Sequence, residues 1–393
     1  MAFSRARLKP NKSDVTALYL HIPFCRQKCP YCDFYSIDTA NEQLMKRYTD
    51  ALITHMDDYS SQLEGTFIDT VYVGGGTPTW LGTKQLKRLF KHMIKCFDID
   101  EDAEWTVEAN PGTVDKTMLK KLYNLGVNRL SIGAQSAVNR ELSSLGRIHT
   151  FEDTQIAVNE ARKVGFENIS VDLMYGIPGQ TLETLEMSIK RLLRLNPQHI
   201  SCYGLSIEKG TPFYVQRNSL DIADDDMQRE MYGMICEYLK MAGYNRYEIS
   251  NFSLAGYESR HNMKYWMGKE YLGLGPGAHS FINNQRFAFK RDINEYIQAV
   301  EENTSAVSEM AEITNAELKC EYIMLRLRLA EGIAADDFYK QFGRDFYQVY
   351  KNKIDRYIKS GHMEYKDGHY RLTTDGLYVS NYILSDILTF EQQ

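Results

Sequence analysis

The sequence predicts an α/β fold in which a partial (βα)6 barrel precedes a mostly helical, winged-helix-like module. Six short runs rich in β-branched and aromatic residues alternate with longer segments of helical spacing from residue 17 to about residue 220. From about residue 310 the spacing is helical and is followed by a small hairpin. A chain of 393 residues, 43% of them hydrophobic, is long enough to form two or three domains.

The barrel elements follow one another in regular order. The predicted strands are Ala17–Ile22, Thr70–Val73, Trp105–Glu108, Arg129–Ile132, Ile169–Leu173 and Ile200–Tyr203. The predicted helices are Glu42–Tyr59, Lys84–Cys96, Asp115–Leu125, Phe151–Val164 and Leu182–Leu195. No GxGxxG pattern opens a helix after the first strand, which disfavours a dinucleotide-binding sheet. Six units are fewer than the eight of a full barrel, and the site is expected at the C-terminal ends of the strands.

Four parts are expected along the chain. They are a basic tail (1–15), the βα core (16–225), an accessory region (226–300) and a C-terminal helical, winged-helix-like domain (301–393). The stretch Tyr244–Phe281 has little regular periodicity and is expected to be irregular. The C-terminal part holds 11 Lys and Arg against 16 Asp and Glu, so a DNA-binding role is disfavoured although winged helices often bind DNA.

Composition excludes several classes of protein. The net charge of −6 provides no basic field for nucleic acid or acidic lipid. No run of about 18 apolar residues predicts a membrane span, and no apolar segment follows the basic N-terminus as in a signal peptide. Seven cysteines, three of them within eight residues, do not resemble a disulfide framework. A cytoplasmic protein is expected.

The three clustered cysteines predict a metal centre. Cys25, Cys29 and Cys32 form a CxxxCxxC pattern directly after the first strand. Three thiolates on one loop can ligate three irons of a [4Fe–4S] cluster and leave the fourth iron open to an external chelator. A structural zinc site, with His21 as a fourth ligand, is the competing interpretation. Three unliganded cysteines are disfavoured because so dense a group of thiols is prone to oxidation.

This pattern, placed after the first strand of a six-unit array, resembles the radical S-adenosylmethionine (SAM) superfamily, whose core is a partial TIM-like barrel. The resemblance implies that SAM chelates the open iron through its amino and carboxylate groups. It also implies that an electron from the cluster cleaves SAM to a 5′-deoxyadenosyl radical. The aromatic residue between the second and third cysteines, Tyr31, matches a family position near the adenine.

Polar and glycine residues near the strand ends match the SAM pocket that the resemblance implies. Strand two ends in GGGTPT, strand three in EANPGT, and strand four in GAQS, and strand five carries an aspartate. The residues expected to line the pocket are Tyr19, Tyr31, Gly75, Gly76, Thr77, Glu108, Gln135, Arg147 and Asp172. Some of these match positions that hold a second SAM in related oxidases.

Five motifs in order resemble the oxygen-independent coproporphyrinogen III oxidase family, which has an oxidase branch and a heme-chaperone branch. The motifs are HIPFCxxxCxYCDF, GGGTPT, EANPGT, DLMYGIPGQT and YLGLGPGAHSF. Oxidases have a fourth cysteine where this chain has Phe34, and a longer N-terminal extension. The pattern HNxxYW, from His261 to Trp266, is associated with chaperones and with heme binding. The chaperone branch is favoured, with His261 as a candidate axial ligand.

The predicted function is therefore that of a heme chaperone with a radical SAM fold, which binds a [4Fe–4S] cluster, SAM and heme. The implied partners are acceptor hemoproteins, including ones at the membrane, and a homodimer is a further assembly left open. No nucleic-acid partner and no integral membrane segment are expected. Two alternatives stay open: a coproporphyrinogen oxidase acting in porphyrin metabolism, and a zinc-stabilised binding module. The sequence does not decide whether the chain is an enzyme.

Overall fold

The computed structural model describes residues 16–389, so the basic tail predicted for residues 1–15 lies outside the described residues. The chain forms two compact units. Unit 1 comprises the chain up to Met231 together with Glu270–Glu312, and unit 2 comprises Tyr232–Lys269 together with the chain from Ile313 onward. The segment predicted as one accessory region is thus divided between the units, because its later strands join the sheet of unit 1. The functional division into four parts stays a prediction.

Strands and helices alternate through the first half of the chain. The strands are β1 Thr16–Ile22, β2 Phe67–Gly75, β3 Asp98–Ala109, β4 Arg129–Gln135, β5 Asn168–Tyr175, β6 His199–Gly204, β7 Asn245–Arg246, β8 Asn251–Ser253, β9 Tyr271–Leu274, β10 His279–Ile282, β11 Gln285–Phe289, β12 Val307–Glu312, β13 Ile333–Ala334, β14 Met363–Lys366 and β15 His369–Leu372. The helices are α1 Glu42–Ser60, α2 Thr83–Cys96, α3 Lys116–Asn124, α4 Asn139–Ser144, α5 Phe151–Val164, α6 Leu182–Leu193, α7 Pro212–Gln216, α8 Asp225–Met241, α9 Arg260–Trp266, α10 Ile293–Glu301, α11 Asn315–Arg326, α12 Ala335–Phe342, α13 Phe346–Lys359, α14 Thr374–Tyr378 and α15 Ser380–Leu388.

The sheet of unit 1 is built on six neighbouring parallel strands, β1 to β6, in sequence order. Strand β9 adds to β1 in parallel, and β10, β11 and β12 extend that edge in antiparallel pairing. Within residues 16–389 the sheet does not close on itself. The structure therefore confirms an α/β core of six βα units arranged as an open, partial barrel.

The parallel strands form because their side chains are buried on both faces. In β1, Ala17, Leu18, Leu20 and Ile22 are fully buried, as expected for a strand covered by helices on one face and by barrel contents on the other. Helix starts are set by capping side chains, such as Asn41 before α1, whose side chain accepts the N–H of Leu44. These local signals explain why all six predicted strands and five predicted core helices are confirmed.

Unit 2 contains the C-terminal helices and a small three-stranded sheet in the order β13-β15-β14. Its core is formed by apolar residues of α11 to α15 and of these strands, including Ile323, Phe338, Phe346 and Ile354, all fully buried. The helical domain with a small hairpin is confirmed. The expectation of an irregular Tyr244–Phe281 stretch is wrong, since β7, β8, α9, β9 and β10 lie there. In residues 16–389, no helix is both long and apolar enough to cross a membrane.

Candidate iron–sulfur and SAM site

The cysteine loop begins after β1, at the C-terminal end of the parallel strands. Cys25, Cys29 and Cys32 are half-buried free thiols. At the base of the loop, the N–H of Cys25 donates to the carbonyl of Ile37 at 2.9 Å, and the N–H of Ile37 donates to Pro23 at 2.8 Å. Within it, the N–H of Cys32 donates to the carbonyl of Cys29 at 3.1 Å. Hydrogen bonds between backbone groups of the protein therefore hold the loop in this shape.

The number of thiols fits an iron–sulfur cluster better than a structural zinc site. The loop offers three cysteines, whereas a structural zinc takes four protein ligands. A [4Fe–4S] cluster can bind three thiolates through three different irons and leave its fourth iron open. The three thiols therefore match the donor set of a cluster.

The zinc interpretation needs His21 as a fourth ligand, and His21 is already engaged. Its Nδ1 is 3.0 Å from the hydroxyl of Tyr19, and its Nε2 is 2.8 Å from the backbone oxygen of Tyr35. Burial lowers the pKa of His21 to about 4, so the ring is neutral at physiological pH. His21 therefore supports the loop by hydrogen bonding and has no ring nitrogen left for a metal.

Burial also determines the charge of the cysteines before metal is bound. It raises the pKa of the Cys25 thiol, and it raises that of Cys32 to about 11. These thiols are therefore protonated at neutral pH in the metal-free chain. A bound metal deprotonates the thiols that coordinate it, so cluster assembly at this loop releases protons.

The glycine turn at the end of β2 packs directly on the base of the cysteine loop. The N–H of Gly76 donates to the carbonyl of Ile22 at 2.9 Å, and that of Thr77 donates to Phe24 at 2.7 Å. A Cβ on Gly76 would lie 2.8 Å from the Phe24 oxygen, so only glycine fits. The N–H of Gly75 is also taken, by Glu108 at 3.1 Å. A ligand ammonium group at this turn would therefore bind carbonyl oxygens.

A chain of polar side chains, here called the polar bridge, connects two of the cysteines across the strand ends. It consists of Thr77, Asn110 and Arg147. Thr77 Oγ1 is 3.7 Å from Cys25 Sγ and accepts from Asn110 Nδ2 at 2.7 Å. Arg147 donates to Asn110 Oδ1 and lies 3.6 Å from Cys29 Sγ. The polar bridge thus places a permanent cation beside one thiol and a hydroxyl beside another.

Asn110 is a site residue that the sequence analysis missed. Its motif, EANPGT, was recognised, but only Glu108 was taken from it. The signal available was its position two residues after Glu108, at the same strand end. Beside it, an open cleft borders Cys29 and is lined by Asn110, Arg147 and His149 among others.

Gln135 occupies a strained position at the end of β4. Its φ of +63° lies in the left-handed region, which costs a residue with a Cβ about 1 kcal/mol or more. The pairing of β4 with β5 shifts register between Ile132 and Gln135, which marks a bulge. The bulge turns Gln135 toward Gly133, where a Cβ would meet Gln135 Nε2 at 2.9 Å. Arg147 donates to the Gly133 carbonyl at 3.0 Å, so Gln135 lies beside the polar bridge.

Two half-buried carboxyl groups, those of Glu108 and Asp172, lie on β3 and β5. Burial raises the pKa of Glu108 to about 7, although Tyr72 donates to it at 2.8 Å, and the carboxyl of Asp172 raises it further. Burial raises the pKa of Asp172 to about 6, although hydrogen bonds from Ser201 and Ser131 favour the charged form. Both groups therefore change their proton occupancy near neutral pH, and both could accept hydrogen bonds from a polar ligand.

The predicted tyrosines have different neighbours. Tyr31, on the cysteine loop, packs against the Phe213 ring at 6.2 Å between centroids. Burial raises the pKa of Tyr31 well above its usual range, with Arg147 opposing the shift. Tyr19 lies three residues before the end of β1, and its ring is 6.2 Å from that of Tyr72. Tyr31 therefore belongs to the loop, and Tyr19 to the group around His21.

His261 lies in unit 2, in the short helix α9, and not in a loop. Its side chain is fully buried, and its Nε2 is 2.9 Å from the hydroxyl of Tyr265. The N-cap of α9 is Ser259, whose side chain accepts the N–H of Asn262. Inside unit 1, the other predicted residues form two connected groups, one around the polar bridge and one around Glu108, joined by the N–H of Gly75.

Replacement of Gly76 by alanine should destabilise the protein by about 2 kcal/mol or more, because the new Cβ would overlap backbone atoms. The matched control is Gly233→Ala in α8, where a Cβ meets open space; it should stabilise by up to about 1 kcal/mol. Urea unfolding of both variants checks the pair. Equal stability of the Gly76→Ala variant and wild type would show that the glycine turn does not pack closely on the cysteine loop.

Glu108 should make stability fall as pH rises. The pKa of Glu108 is about 7 in the native state, against 4.5 for an ordinary glutamate. Between these pH values the folded state therefore binds more protons than the unfolded state. The expected loss of unfolding free energy is about 3 kcal/mol at most. The Glu108→Gln variant should lose less stability over this interval when urea unfolding is followed against pH. Parallel pH profiles for the variant and wild type would contradict the raised pKa.

Comparison with known proteins places these features in a family. The model of the radical SAM superfamily matches residues 19–192, and the model of the HemN C-terminal domain matches residues 313–379. The solved structure of coproporphyrinogen III oxidase from Escherichia coli shares the fold, with a TM-score of 0.85 and 23% identity over 98% of this chain and 92% of that chain.

Curated relatives are similar over nearly their whole length. The heme chaperone HemW of Bacillus subtilis is 35% identical over 94% of this chain and 98% of its own. HemW of Escherichia coli is 32% identical over 94% of this chain and 97% of its own. HemW of Lactococcus lactis is 33% identical over 97% and 98% of the two chains. The chain therefore belongs to the radical SAM superfamily and, within it, to the HemW family of heme chaperones.

Proposed function

We propose that this protein is a heme chaperone that holds a [4Fe–4S] cluster and SAM at the strand ends of unit 1 and binds heme for transfer to acceptor hemoproteins. The observation that carries the proposal is the end-to-end similarity to relatives named heme chaperone HemW. The three-thiol loop and the polar strand ends around it are consistent with a cluster and SAM as cofactors.

The residue two positions after the third cysteine supports a chaperone over an oxidase. Phe34 stands where the oxidases of the resemblance have a fourth cysteine, and its side chain is 70% exposed. A phenyl ring pointing to solvent supplies neither a thiol nor a proton-transfer group beside the cluster loop. The chain therefore keeps the parts that hold a cluster and lacks one feature of the oxidase site.

Each strand-end group has a defined part in the proposal. Cys25, Cys29 and Cys32 would hold three irons of the cluster, which would supply redox chemistry beside SAM. Carbonyls of the turn around Gly75 and Gly76 receive the SAM ammonium group, because the N–H groups there are taken. The remaining residues proposed to line the pocket are Tyr19, Tyr31, Thr77, Glu108, Gln135, Arg147 and Asp172.

The charges around this pocket suit a zwitterionic ligand. Arg147 provides a permanent positive charge beside Cys29, and it is suited to the carboxylate of SAM. Glu108 and Asp172 provide half-buried acceptors for hydroxyl or ammonium groups. The left-handed backbone at Gln135 aims its amide beside Arg147, where it can donate to the same ligand.

For heme, we propose His261 as an axial ligand. Because its Nε2 is hydrogen-bonded to Tyr265 and its side chain is fully buried, ligation requires this bond to open. The aromatic rings of Tyr265 and Trp266 are half-buried and can pack on a flat macrocycle. Arg260 at the exposed start of α9 can pair with a heme propionate.

The proposal also covers the cellular compartment, the acceptors and the oligomeric state of the protein. We infer that the protein works in the cytoplasm, that its acceptors include hemoproteins at the membrane, and that it can form a homodimer. These stay predictions.

The decisive test of function uses one sample reconstituted with iron and sulfide under anaerobic conditions. Heme titration and coproporphyrinogen turnover with SAM and a reductant are measured side by side. We expect saturable heme binding and no turnover at a catalytic rate. Product formed at a catalytic rate would make the chain a coproporphyrinogen oxidase, and a colourless protein whose bound zinc is lost in the Cys25→Ala variant would exclude the cluster.

The heme site is tested by changing α9. His261→Ala should weaken the Soret shift that hemin produces, whereas Tyr265→Phe should keep or strengthen it because the hydroxyl no longer holds Nε2. His369→Ala, also in unit 2 and paired with Glu331, is the matched control and should bind hemin as wild type does. An unchanged Soret spectrum in the His261→Ala variant would remove His261 from the heme site.

A further inference from the structure

A second group of metal-ligating side chains lies on the helical layer of unit 1. It consists of Asp57 on α1 and of His92 and Cys96 on α2. One potential ligand atom from each residue lies within 4.8 Å of the other two. His92 and Cys96 are four residues apart, so they share one face of α2, and Asp57 comes from the neighbouring helix. We propose that Asp57, His92 and Cys96 bind one zinc-class divalent cation, with solvent as the fourth ligand.

The distances suit a tetrahedral ion. Asp57 Oδ1 is 2.8 Å from His92 Nε2, where a proton now lies between them. Oxygen and nitrogen ligands of one zinc are about 3.3 Å apart, so a cation can replace this proton after a movement of about 0.5 Å. Asp57 is exposed and His92 and Cys96 are half-buried, which leaves room for that movement and a path for the ion.

The donor set indicates the class of metal. A thiolate, an imidazole and a carboxylate together are typical of zinc and of cobalt as its substitute, whereas magnesium and calcium prefer oxygen ligands alone. The ionised thiol and carboxylate supply two negative charges, which balance a divalent cation. The thiol proton leaves to solvent when the cation binds.

The position of Cys96 favours a cation over a nucleophilic role. Cys96 is the last residue of α2, where the helix dipole places negative partial charge that attracts cations. Burial raises the pKa of the Cys96 thiol to about 11, and the Asp57 carboxylate adds to the shift. A thiol that stays protonated at neutral pH is a poor nucleophile. The Asp57 carboxylate, which helps to keep the thiol protonated, also stabilises a bound cation.

A cation at this position would connect α1 to α2, two helices that pack against each other, with α1 also contacting β9 and α2 contacting β3. The group is separate from the cysteine loop, since none of its three members is a cluster cysteine or a strand-end residue. Its occupancy therefore depends on the supply of metal and not on cluster assembly. A bound cation would hold α1 and α2 together in the helical layer of the barrel.

The first experiment uses the full chain with its cluster reconstituted, so that Cys25, Cys29 and Cys32 are occupied. Zinc is titrated in competition with a coloured chelator while the cluster absorption is followed. We expect one zinc per chain, and we expect Cys96→Ala, His92→Gln and Asp57→Asn each to weaken binding by at least about tenfold. Cys236→Ala, which removes another half-buried free thiol, is the matched control and should bind zinc as wild type does.

The second experiment identifies the ligands by cobalt absorption. It uses the Cys25→Ala/Cys29→Ala/Cys32→Ala variant, in which cobalt has no cluster thiols to bind. A thiolate-to-cobalt charge-transfer band should appear and should be lost when Cys96→Ala is added, but kept with Cys236→Ala. Absence of saturable zinc binding in the first experiment, or a charge-transfer band that survives Cys96→Ala, would overturn the proposal and leave His92 and Asp57 as an ion pair. The proposed chaperone function is unaffected by either result.

Discussion

The close backbone contact between the cysteine loop and the end of β2 is the constraint on which the rest of the site depends. Gly76 and Thr77 donate to Ile22 and Phe24, and no side chain larger than hydrogen fits at Gly76. This contact orients Thr77 toward Cys25, and Thr77 in turn anchors the polar bridge. The order of the strands then places Glu108, Gln135 and Asp172 around the same opening, because parallel strands end at one edge of the sheet.

The protonation states of the site residues follow from the burial of ionisable groups whose charges are only partly balanced by neighbouring charges. Buried thiols are neutral until a metal binds, and the two half-buried carboxyl groups titrate near neutral pH. Arg147 and Arg129 are permanent charges near Asp172, and the hydrogen bonds of Arg147 to Asn110 and Gly133 hold it beside Cys29.

Long periodic elements could be predicted from the sequence, and short ones could not. Strands β1 to β6 are apolar runs bounded by turn residues, and the core helices have clear amphipathic spacing, so local pattern was sufficient. Strand β9, by contrast, is defined by parallel pairing with β1 across some 250 residues of chain, which no local pattern reveals. Helix α9 has only seven residues and was hidden among aromatic residues.

In the candidate site, too, some features could be predicted from the sequence and others could not. The cysteine loop and the glycine turn were predictable because each has a distinctive spacing. Asn110 was missed because a single amide, even two residues after Glu108, is a weak signal, and the bulge at Gln135 follows from strand pairing. His261 was expected in an irregular segment, and its burial against Tyr265 depends on the helix that the sequence did not reveal.

We propose that three thiols hold a four-iron cluster with one iron open to SAM. Mössbauer spectra of the iron-labelled, reconstituted chain, recorded with and without SAM, test this proposal. We expect a four-iron cluster in which one iron changes its signal when SAM is added and the other three do not. A spectrum that SAM leaves unchanged, or iron bound as isolated ions, would contradict it.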